Sequence, residues 1–412
     1  MAAMGQTVVE RFLRYVQIDT QSNEKSSATP STEKQKDLGR VLVEELRELG
    51  LDAEMDEHGY VYSLVPSNSD KNVPTIAYLA HQDTSPEASG ANVKPIVHDY
   101  EGGDIVLPGD SSVVIRAEDN PELVKLAGGQ VITSDGTTLL GADDKAGVAE
   151  IMDIVHYLVK HPEIKHGPIR IVFTVDEEIG RGVDKIDLDK VGAVAAYTFD
   201  GSEAGTYEVE TFSADLAVVT CIGNNIHPGF ATGKMINAIK MAGAFLDRLP
   251  KDRLSPETTA GRVGFVHPYV LEGGVDKTTC RVLLRSFETP ELREQEKLLR
   301  EIAAEVEKSF PGGRIEIEVK EQYRNMREQL EHHPEVAEIA REAIVRADLE
   351  PVSEPIRGGT DGSRLTAMGL PTPNIFAGGL NFHSVREYAG VETMKKAVEV
   401  GVHIARLWEE RA

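Results

Sequence analysis

Apolar positions recur every three to four residues through Thr7–Ile18 (Val9, Phe12, Leu13, Val16), and this period predicts a helix. A polar loop, 21–31, separates it from a second helical stripe of Leu38, Val41, Leu42, Leu46 and Leu49, which Gly50 is suited to end. Thr32 with Gln35 three residues later reads as a capping box for that helix. Tyr60–Val65 and Thr75–Ala80 are short apolar runs of strand type, and the Gly- and Asp-rich stretch 86–136 reads as loop with short strands. Lys145–Lys160 carries Val148, Ile151, Met152, Val155 and Val159 at helical spacing, and the β-branched runs Arg170–Val175 and Ala193–Phe199 follow it. Strands alternating with helices predict an α/β fold, a mostly parallel mixed sheet between helical layers.

Near residue 211 the pattern changes. Leu216–Ile222, Thr278–Phe287 and Arg314–Gln322 read as strands, with helices over Met235–Leu246 and Glu291–Phe310. From about residue 325 the first texture returns: a helix over Glu335–Ala347, a strand over Thr372–Phe376, and a last helix carrying Val391, Met394, Val398, Ile404 and Trp408. The expectation is a discontinuous domain of residues 1–211 and 325–412, interrupted by an inserted α+β domain of residues 212–324 with its own core.

Composition narrows the partners. The 412 residues hold 44 Lys plus Arg against 68 Asp plus Glu, a net charge of −24. So acidic a surface repels phosphate backbones and anionic lipid, so neither nucleic acid nor membrane is an expected partner. No apolar run approaches the ~18 residues of a membrane span. The first residues, Met1-Ala-Ala-Met-Gly-Gln, lack the layout of a secretion signal. Two cysteines, Cys221 and Cys280, make no disulfide framework, and a reducing cytoplasm is the expected compartment.

The candidate chemistry lies just past strand ends, where ligand sites of open α/β sheets form. His81-Gln82-Asp83, Asp176-Glu177-Glu178, Asp200-Gly201 and a segment ending in His383 each follow an apolar strand, and Asp143-Asp144 opens a helix. Residues i and i+2 of an extended segment share a face, so His81 can bind metal with Asp83 behind it. Neighbours point apart, so one of Glu177 and Glu178 can bind metal while the other stays free as a base. Asp143, Glu177, Glu178 and Asp200 in one cleft would repel strongly, and they stay ionised together only if cations neutralise them. Two divalent ions match that charge, with two imidazoles completing the shells.

These motifs occur in the order seen in the co-catalytic zinc aminopeptidase/carboxypeptidase family, which the chain resembles over its whole length. They are His81-x-Asp83, Gly-Ala-Asp143-Asp144-Lys145-x-Gly, Asp176-Glu177-Glu178-x-Gly180, Tyr197-x-Phe199-Asp200-Gly201 and Gly-Gly-x-Asn381-Phe382-His383. The segments Gly223-Asn224-Asn225-Ile226-His227-Pro228-Gly229 and Arg357-Gly358-Gly359-Thr360-Asp361-Gly362 are similar to the branch of that family that trims tripeptides. The resemblance implies that His81 and Asp200 bind one zinc ion, Glu178 and His383 the other, and Asp143 bridges them, with a cis peptide before Asp144. It implies that Glu177 is the general base and that Asp83 orients His81. His227 is implied to reach a partner subunit's site in a homodimer and to help hold the substrate carbonyl. Asn225, Arg285 and Arg357 are implied to bind substrate, the arginines at its terminal carboxylate. The insert is implied to be a ferredoxin-like lid and dimerisation domain. Two zinc ions per subunit are expected, with Mn²⁺ or Co²⁺ able to substitute. Two positions depart from the family pattern: Ser286 follows Arg285 where an Asp is expected, and Ser202 follows Asp200-Gly201.

The expected activity is metal-dependent removal of the N-terminal residue from tripeptides. A related dipeptidase, or an amidohydrolase of N-acylated amino acids, would use the same metal site. A non-catalytic peptide- or metal-binding protein would lack a base or a bridging ligand, and this chain has both Glu177 and Asp143. Asp361, before Gly362, reads as a turn residue with no catalytic duty.

Overall fold

The computed structural model describes Met4, Gly5 and residues 7–412. Most of the stretch read for a leader, Met1–Ala3 and Gln6, lies outside the described residues. The chain divides into two compact units. The first runs through Val209 and resumes at Glu328–Glu354 and Thr360–Ala412; the second is Glu210–Arg327 with Pro355–Gly359.

The first unit is built on an eight-stranded mixed sheet. Its centre is four parallel strands in the order Ile169–Thr174, Ile76–His81, Ala195–Gly201 and Asn374–Phe376. Antiparallel strands flank this core on both sides. Ile76–His81 is buried along its whole length. Its Ile76, Tyr78 and Ala80 enter one apolar cluster while Ala77 and Leu79 enter another. A strand covered on both faces has no polar side to show, which is why these runs are continuously apolar. The helix Ala142–Lys160 packs on Ile76–His81 and Ala195–Gly201, and Val8–Tyr15 and Val391–Glu410 pack on that helix. Val148, Ile151, Ile154 and Val155 on it are fully buried, each contributing about 1.5–3 kcal/mol.

One local expectation changes. The helix Gln35–Glu48 has no side-chain cap. Gln35 is buried and its amide donates to Asp176 Oδ1 at 2.7 Å, because a buried carboxylate is a stronger acceptor than a helix-terminal partner. The stretch 86–136 is loop with short strands, as expected, but two of those strands join a larger sheet. Ile96–Tyr100 and Gly129–Thr133 pair antiparallel and continue through Tyr388–Gly390 to Gly379–Leu380 as a second, four-stranded sheet.

The second unit reads β-α-β-β-α-β: Ser213–Ile222, Ala238–Asp247, Phe265–Gly273, Lys277–Ser286, Thr289–Ser309 and Arg314–Tyr323. Its antiparallel strands lie in the spatial order fourth, first, third, second, which is the ferredoxin-like arrangement. Leu299, Val306, Met241, Phe245, Val282 and Leu284 form its own core. Phe265–Gly273 carries Pro268 at a register shift and sits at the sheet edge, where a missing N–H costs no ladder bond.

Candidate metal centre

Three of the candidate ligands, His81, Glu178 and Asp200, are delivered by the C-terminal edge of the first unit's eight-stranded sheet. His81 ends its strand. Asp200 lies at the end of Ala195–Gly201, where its N–H donates to Asn374 Oδ1 at 3.1 Å. Glu177 and Glu178 occupy a 3₁₀ turn after Ile169–Thr174, entered by a left-handed Asp176 (φ 58°). Asp176 is buried and accepts from the N–H of Ser31 and the amide of Gln35, so the loop before the second helix is tied under the turn. Asp143 precedes the regular part of the Ala142–Lys160 helix at a non-helical step, joined to Asp144 by a cis peptide bond. His383 (φ 60°) sits in the loop between two short strands of the second sheet.

The side chains meet pairwise. His81 Nε2 lies 2.9 Å from Asp143 Oδ1 and 3.6 Å from Asp200 Oδ1. His383 Nε2 lies 2.8 Å from Glu178 Oε2 and 3.3 Å from Asp143 Oδ2. The two oxygens of Asp143 therefore face two different imidazoles, each with a further carboxylate beside it. Donor atoms of His81, Asp143 and Glu178, and separately of His81, Asp144 and Asp200, lie within 4.8 Å of one another. Asp144 is engaged otherwise, since its oxygens accept from the N–H groups of His81 at 3.1 Å and Gly147 at 3.2 Å. Asp143 is thus the carboxylate placed between the two halves.

Asp83 is fully buried and does more than sit behind His81. Its carboxylate accepts from the N–H of Glu177 at 3.0 Å and of Glu178 at 3.3 Å. His81 Nδ1 is 3.0 Å from the Asp83 backbone carbonyl and 3.4 Å from Asp83 Oδ1. One carboxylate so fixes a histidine and the turn holding both glutamates.

Electrostatics test whether cations fit. Burial, with Asp143 close by, pushes Glu178 up to about 8 against the pull of His383. Burial likewise lifts Asp200 to about 6, with His81 opposing and Asp143 assisting. Glu177 is raised well above the carboxylate range by burial and by Asp200, Asp361 and Glu178, His81 opposing. Burial disfavours the charge on His383, yet Asp143 and Glu178 raise it to about 11. Glu178 Oε1 is buried with no hydrogen-bond partner. A cluster of carboxylates too crowded to ionise alone, an orphaned oxygen and two imidazoles facing them make a donor set that suits a pair of divalent cations.

The second unit's candidates are placed differently. His227 is exposed at the start of a 3₁₀ turn, its Nδ1 accepting from Gly229 N–H at 3.1 Å. Asn225 is exposed on the same loop. Arg285 is buried, donates to the carbonyls of Asp215 and Leu284, and lies over the Tyr323 ring. Arg357 donates to the carbonyls of Gly261, Val263 and Thr259 and lies over Phe212. These contacts tie both arginines within their own unit.

Residues not singled out from sequence also surround the centre. Asp361, read as a turn residue, is buried at the start of the helix Asp361–Ala367 and accepts from Thr174 Oγ1 at 2.6 Å. Its place after a Thr at a helix start was the available signal. Glu387, four residues beyond His383, is buried and gave no signal of its own.

Comparison with known proteins defines the class. Residues 134–407 match the model of peptidase family M20/M25/M40. The chain belongs to this family of peptidases. It is 50% identical to a peptidase T of Geobacillus thermodenitrificans over 99% of this chain and 100% of the relative, and 48% identical to a peptidase T of Clostridium acetobutylicum over 98% and 99%. Two solved structures share the fold: a tripeptidase from Staphylococcus aureus (TM-score 0.78, 24% identity, 100% of both chains) and the aminopeptidase PepT of Bacillus cereus (TM-score 0.74, 24% identity, 98% and 99% covered).

Proposed function

We propose that the chain is a two-metal aminopeptidase that removes the N-terminal residue from tripeptides. The observation that carries this reading is Asp143, whose two oxygens face His81 on one side and His383 on the other. His81 and Asp200 would hold one ion, His383 and Glu178 the other, with Asp143 shared. Zinc is the proposed metal, since imidazole and carboxylate donors suit it, and Mn²⁺ or Co²⁺ would substitute. Bound there, the ions supply Lewis-acid polarisation of the peptide carbonyl and acidify the attacking water. Glu177 then accepts the proton of that water at its carboxylate and passes it to the leaving amine nitrogen. Asp83 keeps Glu177 and His81 in register, because both hang on its carboxylate or its carbonyl. The tripeptide assignment is supported by the relatives named peptidase T at about half identity over nearly the whole chain. We further propose a cytoplasmic homodimer in which His227 serves the partner subunit; its exposed position on the second unit supports this.

The deciding experiment is metal analysis combined with a tripeptide panel, free and N-acetylated, before and after chelation. Cleavage of free tripeptides at the first bond, lost on chelation and restored by Zn²⁺, is expected. Cleavage of acetylated peptides alone would replace the aminopeptidase by an amidohydrolase.

A further inference from the structure

Glu387 is 1% exposed and lies between His383 and the strand Tyr388–Gly390. Its Oε2 accepts from the N–H groups of Leu140 at 2.8 Å and Gly141 at 2.7 Å. Its Oε1 accepts from Asp143 N–H at 3.0 Å. Three backbone donors in four residues converge on one carboxylate, and all belong to the turn that presents Asp143. Gly141 in that turn takes φ +84°, a left-handed conformation that glycine adopts without strain. Hydrogen bonds in a dry site hold their partners firmly, because no water competes for the donors. The consequence is a mechanical link. The segment that supplies the last imidazole, His383, also grips the main chain of the bridging carboxylate, so the two halves of the centre are held to each other by protein.

We propose that Glu387 is a positioning residue that sets the bridging carboxylate against His383 and thereby secures the cation held by His383 and Glu178. This inference rests on the two-metal reading above. Gln at 387 has the same shape but offers one acceptor oxygen and places an NH₂ group against an N–H donor. Asp keeps the charge and is one methylene too short to reach all three donors.

The test is Co²⁺ titration of the metal-free full-length chain, wild type and E387Q, followed by visible absorption and by bound metal per chain against a competing chelator. The wild type should take up two ions. E387Q should bind the first ion normally and the second at least tenfold more weakly, with kcat reduced more than KM, and excess metal should recover part of kcat. A lowered Tm with two ions bound as tightly as in the wild type would overturn the proposal, leaving Glu387 a plain structural strut. Should E387Q fail to fold, the same titration on E387D decides: a weakened second ion supports the proposal, and an unchanged one overturns it. A wild-type chain that binds fewer than two ions would instead sink the two-metal reading itself, so the two failures are distinguishable.

Discussion

Single side chains here are chosen for what they do to charge. Glu177 is fixed by its backbone to Asp83 and is not one of the five candidate ligands, so its removal should separate proton transfer from metal binding. E177A is expected to keep both metal ions while kcat falls roughly 10²–10⁴-fold; metal analysis alongside initial rates checks this, and undiminished turnover would remove the proposed base. Glu208 is a second informative carboxyl. It is buried, one oxygen has no partner, and burial, with Asp200 assisting, lifts it to about 8 from an ordinary 4.5. The folded protein therefore keeps this proton at pH values where the unfolded chain has lost it. Its contribution to stability is full below about 4.5 and is lost as pH rises through about 8, at up to about 1.4 kcal/mol per pH unit. E208Q should abolish that part of the slope. Denaturant unfolding of both proteins from pH 5 to 8, with saturating metal, reads it out, and parallel curves would contradict it.

At the scale of elements, the helix Ala142–Lys160 lies so close to the strand ending in Asp200 that residue 147 has no room for a side chain. A Cβ on Gly147 would come within 1.8 Å of the Phe199 carbonyl oxygen and 2.6 Å of Asp144 Oδ1. G147A is expected to cost at least about 2 kcal/mol, since neither backbone can retreat without moving a ligand, and to lower metal affinity along with Tm. A variant of wild-type stability would mean that the helix can shift freely over the sheet. The same elements explain how far the sequence could be read. The buried central strands and long amphipathic helices announced themselves by period, and the candidate ligands His81, Glu178 and Asp200 could be picked out because they stand at or just past strand ends. What escaped was set by distant partners. Ile96–Tyr100 and Gly129–Thr133 are strands of five residues whose neighbour, Tyr388–Gly390, lies at the far end of the chain. Gln35 makes its shortest bond to Asp176 and only longer ones to Ser31 and Thr32, and Glu387 finds its donors at residues 140–143. Pro268 hid an edge strand. The carbonyls of Asp215, Gly261 and Val263, which Arg285 and Arg357 bond, lie far from them in the sequence and were equally hidden.

For the whole molecule, cations bound only by the folded state stabilise it by mass action. Stripping them should lower Tm, and free metal at a hundredfold over its dissociation constant should return about 2.7 kcal/mol per site; calorimetry with and without chelator measures this, and an unchanged Tm would count against a built metal centre. Subunit cooperation has its own assay. If His227 acts across a dimer, mixing H227A with E177A chains should give activity neither shows alone, because one site of each mixed pair has every group. Mixtures no more active than their components would place His227 outside the reaction.

In chain order the candidate ligands flank the second unit, with His81, Asp143, Glu178 and Asp200 before it and His383 after it. A growing chain on the ribosome thus displays four of these side chains before the second unit is made, and gains the fifth, with Glu387 beside it, only after that unit. Hydrolysis that depends on all five is therefore out of reach of any copy whose second unit is still being made.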